Sequence, residues 1–415
     1  MTVGSGIRRR VLLLNYGAFD NNSGNHIGNF ANALARRGVD VAVCAEGDAA
    51  TAPNWLDAGV KLFSHASIDL APRQVLSFGP ADLGPQDTIL HVWTPRERVI
   101  RLTKRLTDSG VGAVFAHLED NEDVLAAASL GMSCEQLLAL PTELLPEPYP
   151  HTLSHPARSR AFLASAAGVT VIVPTLERFA PPGRPVHVLE PGVDASLYAA
   201  ALDPERRAAL RVEFGLAPDE SVCVYSGNMH MANAREVFSL YAAMLILRRR
   251  GRRVRLLRTG LDFCDGLDES YVDLRDDGGV TTLGFLPRER LVEVMRLADF
   301  FVQPGRSGAF NDYRFPSKIP EFLACGKPVV LPATNVGLRL RDGEEALLLR
   351  RGDGWEIADQ VERLLDDPVL AARIGAGGQA FARRELDWDS NVEALAAFYE
   401  ACVNRQEVAE TVEGP

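Results

Sequence analysis

Short, almost uninterrupted apolar runs alternate along the chain with longer stretches in which apolar and polar positions mix. Val11–Leu14, Phe300–Val302 and Val329–Leu331 are examples of these runs. Strands of a parallel sheet are buried on both faces, so such runs predict parallel strands. Residues 31–47 have the pattern of a helix, a stop at Gly38 and a further strand. This β-α-β unit predicts a right-handed crossover.

The strand and helix pattern occurs twice along the chain. The first series ends with a short strand and a turn at 185–194, and a polar, alanine-rich connection with a helix follows at 195–221. A new series then starts with the strand and loop of 221–230. One hydrophobic core rarely serves 415 residues. The pattern therefore predicts two β/α domains.

Composition narrows the class of protein. The net charge of −11 argues against a general nucleic-acid binder. The six cysteines lie far apart without a CxxC pair, which favours reduced thiols over disulfides or a zinc site. Only four apolar residues follow the basic run Arg8–Arg10, too few for a signal peptide, and no run reaches the ~20 apolar residues of a membrane span. We expect a cytoplasmic protein.

Residues 304–330 carry the clearest functional pattern. A buried strand leads into a polar, glycine-rich loop, then into a helix from about Ser317 to a glycine cap at Gly326, and then into another strand. Open α/β sheets hold anionic ligands at this kind of junction. The loop and the start of the helix carry three cations, namely Arg306, Arg314 and Lys318. With Glu321 in the first helical turn, the stretch suits a diphosphate that carries a sugar or ribose.

The first strand is followed by a second candidate loop, 18–29. The residues Gly24, Asn25 and His26 can place backbone amides against a phosphate or an acceptor hydroxyl. The alternative is an ordinary strand-to-helix turn.

A third candidate site follows the strand predicted to end at Ala116. His117, Glu119 and Asp120 come at its carboxyl end, where they can donate hydrogen bonds or move a proton. The alternative is that Asp120 or Asn121 only caps the next helix.

Three further stretches leave their roles open. The irregular region 131–165 is expected to act as a lid or acceptor loop. The cations of 99–106 and 248–258 can serve a membrane or phosphate surface, or can simply face solvent.

Several pieces of the chain, taken in order, resemble a known family. These are SGNHIGNFANALARRGVDVAV, LEPGVD, VYSGNMHMAN, LGFLP, ADFFVQPG, PEFLACGKPVV and the C-terminal EEALLLRRGDGWEIADQVERLLDDP through to Trp388. In this order and spacing the chain resembles a GT-B glycosyltransferase, closest to glycosyltransferase family 4. The resemblance implies two Rossmann-like domains facing across a cleft, an acceptor-side domain at 1–195 and a nucleotide-sugar domain at 196–387. Residues 388–415 would form a helix that crosses back towards the first domain and a frayed tail.

The resemblance also implies a reaction and a set of site residues. A sugar would pass, with retention and without metal or cofactor, from a nucleotide-diphosphate sugar to an unidentified acceptor, with peripheral contact to the inner face of a membrane as an option. Glu321 would bind the ribose, and His117 would lie near the reacting sugar. The loop of Gly24 would meet the diphosphate or acceptor. The remaining expected donor contacts are the diphosphate ligands Gly227, Asn228 and Lys318 with one of Arg306 or Arg314, the adjacent Ser317, and the backbone of Phe285 at the base.

One departure from the family pattern keeps other functions open. The family commonly has two glutamates eight positions apart, of which the first contacts the donor sugar. Counting back eight positions from Glu321 reaches Tyr313, and the adjacent Asp312 is the carboxylate able to replace the missing glutamate. One alternative is a nucleotide-sugar epimerase or hydrolase that uses Glu119, Asp120 and Glu122. The other is an inactive sugar-nucleotide-binding partner subunit.

Overall fold

The structure, a computed structural model, describes residues 9–264, 274–276 and 278–412, with side chains to residue 405. Residues 413–415 of the predicted frayed tail lie outside this range. The chain divides into two compact units. Unit 1 comprises Met1–Pro191, Tyr313–Phe315 and Trp388–Pro415, and unit 2 comprises Gly192–Asp312 and Pro316–Asp387.

Unit 1 is a parallel sheet with helices on its faces. Its strands are β1 (Arg10–Ala18), β2 (Val41–Glu46), β3 (Lys61–Ser64), β4 (Thr88–Trp93), β5 (Ala113–Leu118), β6 (Gly168–Val171) and β7 (Val186–Val188). They pair in the order β3-β2-β1-β4-β5-β6-β7. Its helices are α1 (Asn22–Arg36), α2 (His65–Leu70), α3 (Pro72–Val75), α4 (Glu97–Thr107), α5 (Glu122–Ser129), α6 (Cys134–Ala139), α7 (Pro156–Ser165) and the C-terminal helix (Trp388–Val412).

The core of unit 1 explains why the apolar runs form strands. Leu12 and Leu14 on one face of β1 and Val11 and Leu13 on the other are all fully buried, as a central strand covered on both faces requires. The C-terminal helix packs against the same core through buried residues that include Tyr399.

Unit 2 repeats the architecture. Its elements are α8 (Ala195–Ala199), α9 (Pro204–Glu213), β8 (Ser221–Ser226), β9 (Met229–His230), α10 (Ala234–Arg249), β10 (Val254–Thr259), β11 (Asp262–Phe263), β12 (Val280–Gly284), α11 (Arg288–Leu297), β13 (Phe300–Val302), α12 (Ile319–Ala324), β14 (Val329–Pro332), β15 (Leu347–Leu349), α13 (Gly354–Asp366) and α14 (Pro368–Glu385). The described strands form one parallel sheet in the order β12-β10-β8-β13-β14-β15, and β9 and β11 form a separate pair. The prediction of two parallel β/α domains is confirmed.

The start of α1 and the end of β5 differ from the boundaries that the sequence predicts. The helix that the sequence predicts from Gly24, within the candidate loop 18–29, starts two residues earlier at Asn22, because the Asn21 side chain caps α1 by accepting from the Gly24 backbone N–H at 2.6 Å. Strand β5 does not end at Ala116 but continues to Leu118, because His117 pairs in register with Thr170 of β6. The cap expected before α5 is provided by Asn121.

The two cation-rich stretches are largely neutralised by carboxylates. Asp69 of α2 pairs with Arg101 and Arg105 of α4. In the 248–258 block, Glu362 pairs with Arg250 and Arg252. These contacts favour the solvent-facing interpretation of both stretches. No helix in the described part of the chain is both long and apolar enough to cross a membrane.

Candidate functional site

Three glycines bring the backbone together at the carboxyl ends of β8, β10 and β12. The Gly260 N–H donates to the Gly284 carbonyl at 2.7 Å. A Cβ built on Gly260 would lie 2.4 Å from the Gly227 carbonyl oxygen, so only a residue without a side chain fits there. Gly227 itself has φ +145°, a conformation that favours glycine. The tight loops leave bare backbone at the sheet edge where α/β folds bind ligands.

The side chain of Lys318 lies directly over this bare backbone. A Cβ built on Gly227 would come within 2.5 Å of Lys318 Nζ. The ammonium lies 4.6 Å from the ring centroid of Tyr225 and 3.3 Å from its hydroxyl. Tyr225 is almost fully buried at the end of β8, so it fixes the lysine by a cation–π contact and a hydrogen bond. The result is a positive charge held over glycine amides.

Glu321 lies one turn further along, in the first turn of α12. The hydroxyl of Tyr198, a buried residue of α8, donates to Glu321 Oε1 at 2.8 Å. Burial and then the charge of Glu321 raise the pKa of Tyr198 well above its usual value, so the phenol stays protonated as a donor. One carboxylate oxygen is thereby oriented by the protein, as a residue that accepts two vicinal hydroxyls requires.

The other expected donor residues of unit 2 have different surroundings. The side chain of Asn228 contacts the segment that follows β10, where its Oδ1 accepts from the Leu261 N–H at 2.9 Å. Phe285 is 75% exposed directly after Gly284. Arg306 and Ser317 are exposed in the 303–318 loop.

Arg314 falls in the short segment Tyr313–Phe315 that groups with unit 1. There its positive charge opposes the rise in the pKa of Asp120 that burial causes, and the Tyr313 hydroxyl accepts from Arg178 at 3.0 Å. The structure therefore brings Gly227, Lys318 and Glu321 into one region of unit 2 and groups Arg314 with Asp120.

In unit 1, the helix α1 and the end of β5 meet in a polar cluster. His26 Nδ1 lies 3.0 Å from Glu119 Oε1, and the Ser23 hydroxyl donates to Glu119 Oε2. Both His26 and Glu119 are 8% exposed. His26 Nε2 is buried and has no hydrogen-bond partner among the described residues. Gly24 and Asn25 lie in the same first turns of α1, with Gly24 buried and Asn25 exposed.

The adjacent carboxylates of unit 1 are not equivalent. Glu122 is neutralised by Arg96, which donates to its two oxygens at 2.9 and 3.0 Å. At Asp120, burial first, and then the charges of Glu122 and Glu119, raise the pKa to about 8. A carboxyl group that stays protonated at neutral pH can donate a hydrogen bond.

Asp120 lines a pocket of ≈ 330 Å³ in unit 1. Its walls are mostly apolar, with Leu118, Leu163, Phe179 and Pro181 among them, and Arg160 and Arg178 add positive charge. An apolar pocket with few polar groups is typical of a small-molecule site.

His117 is 1% exposed, deeper than its expected position at a strand end. Its Nδ1 lies 2.7 Å from Thr170 Oγ1, and its ring packs against Trp93 at 4.4 Å between centroids. Burial lowers the pKa of His117 well below its usual value, so the ring is neutral at physiological pH.

Sequence reasoning missed the residues that hold these groups in place. Tyr225 and Tyr198 fix Lys318 and Glu321. Thr170 contacts His117. Only Tyr225 was open to inference, because it ends the strand before a glycine loop. The other two lie far in sequence from the residues they contact.

The fold defines a class of protein. The fold is similar to that of the Anabaena HepE crystal structure in complex with UDP and glucose, with a TM-score of 0.68 and 16% identity. The match covers 94% of this chain and 99% of that chain. Sucrose-phosphate synthase from Thermosynechococcus elongatus gives a TM-score of 0.68 at 17% identity, with 97% of this chain and 100% of that one covered. The chain has the GT-B fold, built from two Rossmann-like domains.

Sequence comparison adds a family match for one part of the chain. Residues 220–367, which include most of unit 2, match the model of glycosyl transferases group 1. A D-inositol 3-phosphate glycosyltransferase from Nocardia farcinica is 34% identical over 227 residues, 52% of this chain and 48% of that protein. The chain spans about half the length of the curated relatives it matches.

Proposed function

We propose that the chain is a glycosyltransferase that moves a sugar from a nucleotide-diphosphate sugar to an acceptor. The observation that carries this proposal is the position of the Lys318 ammonium over the bare backbone of Gly227, one helical turn before Glu321. A nucleoside diphosphate offers one group for each side chain, an anionic diphosphate for the lysine and a ribose diol for the glutamate. The match of 220–367 to glycosyl transferases group 1 covers these residues.

Each group has a defined task in this proposal. Lys318 and the backbone at Gly227 and Asn228 bind the diphosphate and stabilise it as it leaves. Glu321 accepts from the ribose hydroxyls, and Tyr198 holds it in that orientation. The backbone after Gly284, at Phe285, contacts the base. Arg306 and Ser317 line the approach along the 303–318 loop.

Unit 1 then supplies the groups for the reacting sugar and the acceptor. His117 contacts the sugar, and Glu119 with His26 positions a hydroxyl through His26 Nε2. The pocket beside Asp120 takes the acceptor. We propose retention of anomeric configuration and charge stabilisation by Lys318 without metal. The six free cysteines agree with a cytoplasmic location.

Nucleotide binding tests the proposal directly. Calorimetric titration with UDP, GDP and ADP measures affinity without any acceptor. We expect Lys318→Ala to weaken binding of the preferred diphosphate by ~10- to 100-fold, the loss of a charged hydrogen bond. Lys327→Ala is the matched control, because it removes a lysine beyond the other end of the same short helix.

Equal affinities of the wild type and Lys318→Ala would remove the basis of the proposal. Incubation with UDP-glucose and related donors then separates the alternatives. Slow release of free sugar supports transfer, an isomerised donor indicates an epimerase, and binding without turnover indicates an inactive partner. Turnover that survives EDTA supports the metal-free reaction.

A further inference from the structure

A continuous chain of buried hydrogen bonds leads from the C-terminal helix to His117. The Tyr399 hydroxyl lies 2.6 Å from His91 Nδ1. His91 Nε2 lies 2.9 Å from Thr170 Oγ1, which in turn lies 2.7 Å from His117 Nδ1. All four side chains are at most 1% exposed. The chain links the C-terminal helix to strands β4, β6 and β5 in that order.

Few placements of the protons allow all three of these hydrogen bonds to form. Burial lowers the pKa of both His91 and His117, so each ring carries one proton and has one donor and one acceptor nitrogen. Each hydroxyl also has a single proton to donate. The direction of every hydrogen bond is therefore set by where the first proton points.

Tyr399 decides that direction. Among the described residues, its hydroxyl has a hydrogen bond only to His91. If His91 donated to it, the phenol proton would be buried without an acceptor, which is costly. Tyr399 therefore donates to His91 Nδ1, and His91 must carry its own proton on Nε2.

The same reasoning fixes the remaining two bonds. His91 Nε2–H donates to Thr170 Oγ1. Among the described residues, the Thr170 hydroxyl contacts only the two histidines, so its proton has one remaining destination, His117 Nδ1. If His117 donated instead, the threonine proton would be the one left buried without an acceptor.

We infer that Tyr399, His91 and Thr170 are positioning residues that lock His117 in the Nε2-protonated tautomer, so that it meets its substrate as a hydrogen-bond donor. The ring nitrogen left for a ligand then bears a proton and points it at an acceptor atom, such as a hydroxyl or phosphate oxygen. His117 is thus unable to act as a general base in this state. Its role towards a sugar rests on the proposed function, whereas the tautomer does not.

Nuclear magnetic resonance tests the tautomer in the full chain without any ligand. With 15N-labelled histidine, long-range nitrogen–proton correlations distinguish the two neutral tautomers, and His117→Gln identifies the signals of His117 by their loss. We expect His91 and His117 both to show the Nε2-protonated pattern, with a roughly tenfold or greater excess over the other form. An Nδ1-protonated or evenly mixed His117 in the wild-type protein would overturn the inference.

Two variants probe the mechanism of the lock. Tyr399→Phe removes the first donor on the far side of His91, and Thr170→Val removes the central hydroxyl. Each should turn His117 into a mixture of tautomers. Tyr149→Phe is the control, because it removes another buried tyrosine hydroxyl of unit 1 that is not part of this series of hydrogen bonds.

The result remains interpretable if a variant folds poorly or if the enzyme proposal fails. The wild-type spectrum alone can refute the tautomer, and near-ultraviolet circular dichroism reports whether each variant is folded. A folded Tyr399→Phe protein whose His117 keeps the wild-type pattern would show that Tyr399 does not set the tautomer. Absence of glycosyl transfer with a locked His117 would count against the proposed function only.

Discussion

Replacement of Asp120 by Asn should make the stability of unit 1 less dependent on pH. The pKa of Asp120 is raised from 3.8 to about 8, by burial first and then by Glu122 and Glu119. Between these two values the folded protein holds a proton that the unfolded chain has released. Stability of the wild type should therefore fall as pH rises through this window, and level off above about pH 8.

The size of the effect follows from the width of the window. Each pH unit inside it changes the free energy of unfolding by about 1.4 kcal/mol. Between pH 5.5 and the pKa, the free energy of unfolding of the wild type should fall by roughly 3 kcal/mol. That of Asp120→Asn should not show this fall, since the amide cannot ionise. The stability of the variant relative to the wild type should therefore increase as pH rises. Loss of a salt-bridged aspartate would give the opposite trend.

Urea unfolding followed by tryptophan fluorescence measures this difference. The assay is best done in a Trp355→Phe background, because Trp355 is the exposed tryptophan of unit 2 and the other three lie in unit 1. Asp82→Asn, on an exposed loop of unit 1, is the control. If the difference between Asp120→Asn and the wild type stays constant from pH 5.5 to 8.5, the carboxyl is not held protonated and the reasoning is wrong.

Two substitutions test the geometry of the nucleotide region. Gly227→Ala should weaken diphosphate binding about as much as loss of Lys318, because the added methyl group would occupy the place of the ammonium. The positive φ at this position should also cost ~1–3 kcal/mol of stability. Calorimetric affinities and urea midpoints measure the two effects, and an unchanged affinity would contradict the prediction. Tyr198→Phe should weaken nucleotide binding by ~2- to 10-fold while leaving binding of inorganic diphosphate unchanged, because it removes a hydrogen bond that orients Glu321 and does not touch the lysine. Equal losses for both ligands would show that Glu321 does not serve the ribose.

The elements and their order were readable from the sequence because buried parallel strands and glycine stops leave local patterns. The region around Lys318 was readable for the same reason, since strand, loop and short helix follow each other directly. What a local pattern does not carry is the state of a side chain. Glu122 and Asp120 look alike in sequence, yet Arg96 neutralises the first and burial protonates the second.

The role of His117 also depends on contacts that a local sequence pattern does not show. The sequence placed it at a strand end as a residue able to donate or to shuttle a proton. Its partner Thr170 lies 53 positions away, and Tyr399 contacts His91 across 308 positions. Such separations leave no sequence periodicity to detect. The choice between donor and base is set by these distant contacts.

The departure at Tyr313 can also be argued from contacts. Asp312 was the neighbouring carboxylate able to replace the missing family glutamate. Its Oδ1 accepts from the Thr334 hydroxyl at 2.5 Å, and its Oδ2 accepts from the Ser307 hydroxyl at 2.9 Å. Both oxygens thus hold the loop in place, and turning this carboxylate towards sugar hydroxyls would break the two hydrogen bonds. Contacts to the donor sugar should therefore come from other groups, and the sugar preferred by this chain need not follow the family pattern at that position.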